Sequence, residues 1–147
     1  MQSFILFYLL FFFSISNFSQ SPVSWKVCFQ KNENIISFDA KIDKNWHLYA
    51  VEVPSPNQGP LPTKFHFTSS NNFSLVGKIQ EEKPHIKYDE NFGVKIAYFE
   101  NKTTFKQKIE IHKDRLQISG FIDYMTCNDK TCYPYKFEFN TMINPPN

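Results

Sequence analysis

The sequence predicts an all-β protein: an antiparallel sandwich of about nine strands, with a cysteine-bearing hairpin near the C-terminus. Three observations carry that reading. Alternating apolar runs recur along the chain, separated by turn signals roughly every eight to twelve residues. Seventeen Phe and seven Tyr give a composition suited to pleated surfaces rather than helices. Finally, two β-prone runs flank the short polar quartet of Cys127-Asn-Asp-Lys-Thr-Cys132.

The elements follow in order. Ser24–Gln30 alternates, with Trp25, Val27 and Phe29 on one face and Cys28 on the other. Asn34–Ile42 is a second strand with Ile36, Phe38, Ala40 and Ile42 inward, and Asp43–Asn45 turns the chain into a third at Trp46–Val51. Pro54–Pro62 carries four prolines and reads as a loop crossing between sheets. Strands are predicted at Thr63–Thr68 and Phe73–Ile79. Glu81–Pro84 then opens a loop that runs through Ile86–Gly93 into a strand at Val94–Phe99. Thr103–His112 and Leu116–Tyr124 are joined by Lys113–Arg115, and Tyr135–Thr141 is the last strand before the Asn144–Asn147 tail.

Residues Met1–Gln20 carry no charge; Phe4–Phe13 is an unbroken apolar run, and Ser14–Gln20 is smaller and more polar. The run is short for a bilayer span of about 20 residues. It reads as a signal peptide over residues 1–20, leaving residues 21–147 as one exported domain. Export into an oxidising space such as a periplasm permits disulfides. All sixteen Lys+Arg and fourteen Asp+Glu follow residue 20, so the mature net charge stays at +2. No long basic block appears, which leaves no argument for nucleic acid.

The cysteines carry the chemistry. Residues flanking a four-residue hairpin loop can face each other with Cβ atoms about 4.5–5.5 Å apart. A disulfide wants about 3.5–4.5 Å, so a small pinch would join Cys127 to Cys132. So small a ring stabilises by only about 2 kcal/mol in the chain-entropy account. That makes a poor staple but an accessible bridge, as thiol exchange requires. A local structural disulfide, free thiols and metal binding are the competing readings. Zinc is disfavoured because no second ligand pair has the right spacing and His47, His66, His85 and His112 are scattered. Cys28 is the odd cysteine: either a small packed residue or, with Trp46 between, half of an inter-sheet bridge to Cys127.

The run Tyr124-x-x-Cys127-x4-Cys132-Tyr133-Pro134 resembles the N-terminal periplasmic domain of the bacterial thiol:disulfide interchange protein DsbD. The resemblance implies an immunoglobulin-like fold, in agreement with the strand count. It implies that Cys132 forms the mixed disulfide with a partner and that Cys127 resolves it. Asp89-Glu90-Asn91-Phe92-Gly93 resembles that family's cap over the cysteines, with Asn91 where an aromatic is frequent, so that Phe92 takes over the shielding or the cap is weaker. Taken alone, the same segment reads as a polar turn. Asn45–Tyr49 resembles a strand that sets two aromatic positions beside the pair. His47 and Tyr49 share its face, His47 standing where tyrosine is familiar; a solvated strand residue is the plainer reading of His47, and packing is expected of it before a catalytic base role, since exchange can draw its thiolate from the partner.

The function implied is an exported thiol:disulfide exchange module without a small-molecule cofactor or metal, acting as a monomer. Expected partners are a thioredoxin-like protein or a membrane electron carrier of the DsbD/CcdA type, and downstream disulfide-bearing exported proteins. DsbD continues into membrane and thioredoxin-like domains, whereas this sequence stops at Asn147, so the electron source is expected to be a separate protein. The competing function is a secreted immunoglobulin-like binding module with a purely structural local disulfide.

Overall fold

The computed structural model describes residues 20–113 and 116–143. The expected signal peptide and the Asn144–Asn147 tail lie outside the described residues. Ten strands form among the described residues: β1 (Val23–Gln30), β2 (Ile35–Ile42), β3 (His47–Tyr49), β4 (Lys64–Phe67), β5 (Phe73–Glu81), β6 (His85–Asp89), β7 (Val94–Phe99), β8 (Lys102–Ile111), β9 (Leu116–Cys127) and β10 (Cys132–Ile143). One sheet has the order β1-β2-β8-β5 and the other β10-β9-β3-β7-β6, with β4 also paired to β9. The pairings are antiparallel.

Between the sheets lies an aromatic core. Ile36, Phe38, Ala40 and Ile42 all point inward as their alternation predicts, and each is buried. Phe38 meets Phe65 at 4.9 Å and Phe139 at 5.0 Å between ring centroids, in tilted and edge-on contacts. Trp25 closes one end against Tyr124 at 5.4 Å.

Strand β9 is the spine of the second sheet. Along one side it pairs with β10 over its full length. Along the other it pairs first with β4, through Gly120–Asp123, and then with β3, through Thr126 and Cys127. Gly120 is needed for this crowding, because a Cβ there would run into the backbone carbonyl of His66 and the ring of Phe139.

The structure departs from the sequence reading in three places. The loop expected through Ile86–Gly93 contains β6, an edge strand paired with β7 from His85↔Tyr98 to Asp89↔Val94. Its residues Ile86 and Tyr88 are about 60 % exposed, so no buried face marks it in the sequence. Strand β3 is shorter than Trp46–Val51, because Trp46 is still in the turn, with its N–H donating to Asp43 O at 3.1 Å. Cys28 is free and only half buried, and Cys127 is bonded elsewhere, so the inter-sheet bridge between them is excluded.

Candidate functional site

The β9–β10 hairpin sets Cys127 directly opposite Cys132. Beyond them, Asn128 N donates to Thr131 O at 2.9 Å, making Asn128 and Thr131 a hydrogen-bonded rung. The cysteines therefore occupy the next, non-hydrogen-bonded rung, where opposed residues come closest. Their Cα atoms are 4.1 Å apart and the sulfurs are joined in a disulfide. Asn128 also holds the tip with its side chain: its Oδ1 accepts from Lys130 N at 2.9 Å and Thr131 N at 2.8 Å. The bridge is asymmetric. Cys127 is 4 % exposed, whereas Cys132 lies open to solvent.

Strand β3 supplies the neighbouring wall. His47 is the cross-strand partner of Cys127, and Tyr49 follows on the same face. His47 Nε2 lies 2.8 Å from Glu100 Oε1, and its ring packs edge-on against Tyr98 at 4.7 Å. Tyr49 is buried, and that burial pushes its phenol well above the usual tyrosine range; the charge of Asp89 and the Tyr98 phenol push it further.

The β6–β7 hairpin supplies the opposite wall. Asp89 organises its turn: one carboxylate oxygen accepts from Asn91 N at 2.9 Å and Phe92 N at 3.2 Å, and the Asp89 carbonyl accepts from Gly93 N at 2.8 Å. Gly93 takes a φ of 68°, the left-handed conformation that suits glycine. Together these elements enclose a cleft of about 340 Å³.

His47, Tyr49, Asp89, Asn91, Phe92, Cys127 and Cys132 all line that cleft. Glu90 and Gly93 belong to the same turn but do not face the cleft. Tyr133 is 47 % exposed beyond it, and Pro134 lines a separate groove with Leu61 and Tyr135. Sequence reasoning missed Lys87 and Ile96 as lining groups and Glu100 as the partner of His47; the tip residues Asn128–Thr131, read from the sequence as the turn between the cysteines, also line the cleft. Reading β6 as a strand would have found Lys87, two residues from Asp89 on one face. Beneath the bridge, Cys127, Tyr49 and Ile96 form an apolar cluster separate from the main core, with Val94, Tyr98 and Met125 against it. Among the described residues, no group of three or more His, Cys, Asp or Glu is placed to hold a metal.

Comparison with known proteins gives the family and the fold. Residues 17–143 match the model of the family described as thiol:disulfide interchange protein DsbD, N-terminal. No curated protein matches the chain. Among solved structures, the reduced DsbD N-terminal domain of Neisseria meningitidis superposes with a TM-score of 0.59 at 13% identity, covering 85% of this chain and 91% of that one. A chain from the complex between the DsbD and PilB N-terminal domains of the same organism gives 0.60 at 13% identity, covering 89% and 96%. At that identity the likeness is one of fold.

Proposed function

This chain belongs to the family of DsbD N-terminal domains, and we propose that it is an exported thiol:disulfide exchange module working through the Cys127/Cys132 pair. One observation carries the reading: a disulfide at a hairpin tip, in an open cleft, with one sulfur buried and the other exposed. A bridge built to staple the fold has no use for such placement, whereas exchange requires a sulfur that an incoming thiolate can reach in line.

The roles follow from access. A partner thiolate attacks Cys132 Sγ, the Cys127–Cys132 bond breaks, and Cys127 leaves with the electron pair. In the reverse sense, Cys127 attacks Cys132 in the mixed disulfide, the internal bridge re-forms and the partner departs as a thiolate. The transfer moves two electrons and needs no small-molecule cofactor. The turn Asp89–Gly93 caps the cleft, with Asn91 and Phe92 facing the pair, and His47 and Tyr49 pack behind it. Tyr133 and Pro134 flank the exposed cysteine in the chain.

The partner is a thioredoxin-like protein. One related structure is a complex of a DsbD N-terminal domain with the N-terminal domain of PilB, and an open cleft beside an exposed sulfur suits a protruding cysteine on such a partner. Electrons enter from such a protein or from a membrane carrier of the DsbD/CcdA type, and downstream disulfide-bearing exported proteins receive them. The working domain is residues 21–147, acting as a monomer in the periplasm after removal of residues 1–20.

A disulfide map followed by a redox titration tests this. Trypsin should yield Leu116–Lys130 linked to Thr131–Lys136, with Cys28 in a separate peptide. The bridge should equilibrate with exchange proteins between about −270 and −120 mV. A potential below about −300 mV marks a structural bridge, and the binding-module reading would then replace this one.

A further inference from the structure

We propose that His47, held by Glu100, is the proton acceptor for Cys127 when that cysteine resolves the mixed disulfide. The inference rests on the exchange reading above and assigns a chemical step within it.

The need is set by burial. Cys127 is 4 % exposed, on an apolar cluster with Tyr49 and Ile96. A thiol so placed resists ionisation, because the thiolate loses its hydration. Resolution nonetheless requires the thiolate. Cys132 is exposed and can lose its proton to water; Cys127 needs an acceptor already in place.

His47 has the position for this. It is the register partner of Cys127 on the adjoining strand, so both side chains leave the sheet on one face with Cβ atoms about 4.5–5.5 Å apart. Both line the cleft. Its side chain is only 16% exposed, and it is fixed on two sides, by Tyr98 edge-on and by Glu100 at 2.8 Å from Nε2. A carboxylate on Nε2 keeps that nitrogen protonated and leaves Nδ1 as the acceptor. The same carboxylate then balances the imidazolium.

The other titratable groups of the cleft are placed differently. Tyr49 is held protonated by burial. One oxygen of Asp89 accepts the N–H groups of Asn91 and Phe92, and Asp89 stands opposite Val94 rather than on a strand paired with Cys127. Lys87 sits over the Tyr98 ring, 5.0 Å from its centroid, and already carries its proton. Asp129 and Lys130 are exposed on the hairpin tip. His85 packs on Tyr98 at 5.6 Å and does not line the cleft.

The step balances. The Cys127 proton passes to the imidazole, and the thiolate attacks Cys132 Sγ. The Cys127–Cys132 bond forms, the bond from Cys132 to the partner breaks, and the partner leaves as a thiolate. In this step the Cys127 sulfur is oxidised and the partner sulfur reduced; with the first attack included, the pair gives up two electrons in all. The imidazolium then returns its proton to the leaving thiolate or to water.

The test is run in a Cys28→Ser background, which removes the free third thiol, and follows both thionitrobenzoate releases when the fully reduced protein reacts with dithiobis(nitrobenzoate). The first release reports attack by Cys132, the second resolution by Cys127. In His47→Gln and His47→Phe, the second phase should slow at least about tenfold. It should also lose its pH dependence between about pH 5 and 8, where imidazoles titrate; the first phase should change less than about twofold on the same argument. The Phe variant keeps a ring against Tyr98, so a packing defect alone is separated from loss of the base. Glu100→Gln, which keeps the imidazole but loses the carboxylate that orients it, should slow the second phase less than either His47 variant. An unchanged second phase in both His47 variants, or a limb that disappears instead in Asp89→Asn, overturns the assignment. A Cys28→Ser protein with His47 intact that releases only one thionitrobenzoate would instead overturn the exchange reading beneath it.

Discussion

Two hairpins meet at the cleft, and they are built on opposite plans. The β9–β10 hairpin has twelve-residue strands paired along their whole length, with Leu116, Ile118, Ile122, Tyr124, Phe139 and Ile143 buried in the core. Its tip is locked by the Asn128 side chain. The β6–β7 hairpin sits at a sheet edge, and no residue of its outer strand is buried. Its turn rests on one carboxylate, that of Asp89. The two hairpins divide the labour. Reacting sulfurs need fixed geometry and sit on the hairpin that cannot open without unfolding the core. Access needs a low-cost opening and is left to the weaker hairpin.

The largest effect should come from breaking the rigid hairpin's chemistry. Cys132→Ser should abolish mixed-disulfide formation with a thioredoxin-like partner, read as complete loss of the covalent adduct on a non-reducing gel. Cys127→Ser should do the reverse and let the adduct accumulate, because the exposed sulfur still attacks and nothing resolves it. Equal trapping by the two variants would show that the asymmetry in burial does not set the roles.

The next effect tests the rigidity itself. Gly120→Ala would drive a methyl group into the His66 carbonyl and the Phe139 ring, in the middle of β9. Overpacking of this kind costs about 1–3 kcal/mol. Urea unfolding should show that loss. The disulfide should still form, since Cys127 and Cys132 lie several rungs away along the same ladder.

On the weaker hairpin the expectation inverts: small cost, visible gain in access. Asp89→Ala removes the acceptor for Asn91 and Phe92 N–H groups at an exposed turn, worth about 1 kcal/mol or less. Alkylation of Cys132 in the reduced protein should then speed up a few-fold while global stability barely changes. A rate equal to wild type would mean that the turn does not limit approach to the sulfur.

The same contrast explains what was legible in the sequence. Strands with unlike faces announced themselves: Ile36, Phe38, Ala40 and Ile42 alternate because one side of β2 is core. The cysteine hairpin was legible because its quartet has turn chemistry and its flanks alternate. The edge strand β6 was not, because with both faces open its residues carry no burial pattern. The partnership of His47 with Glu100 was hidden for another reason. It links β3 to the residue that follows β7, fifty-three positions away, and only the sheet order brings them together.

The smallest expected effect sharpens the comparison at the base of the weak hairpin. Glu81 ends β5 just before β6, and its carboxylate accepts from Val51 N at 2.7 Å and Glu52 N at 3.1 Å, in the segment that follows β3. It therefore ties the root of the β6–β7 hairpin to the strand bearing His47 and Tyr49. Desolvation raises its pKa above 4.5; the two N–H groups pull it down without cancelling that, and the charge of Glu52 adds to the rise. A carboxyl raised in the folded state binds its proton more tightly there than in the unfolded chain. Its contribution to stability is fully present below the unfolded value and is lost as pH rises through the folded one. Wild-type stability should thus fall relative to Glu81→Gln as pH climbs from about 4 towards 7. Urea unfolding of both proteins across that range reads the difference, with the rest of the pH dependence cancelling. A difference that moves the other way would mean that the Val51 and Glu52 N–H groups outweigh burial. The hairpin root would then be anchored by a stabilised carboxylate, and the opening motion would have to arise in the turn alone.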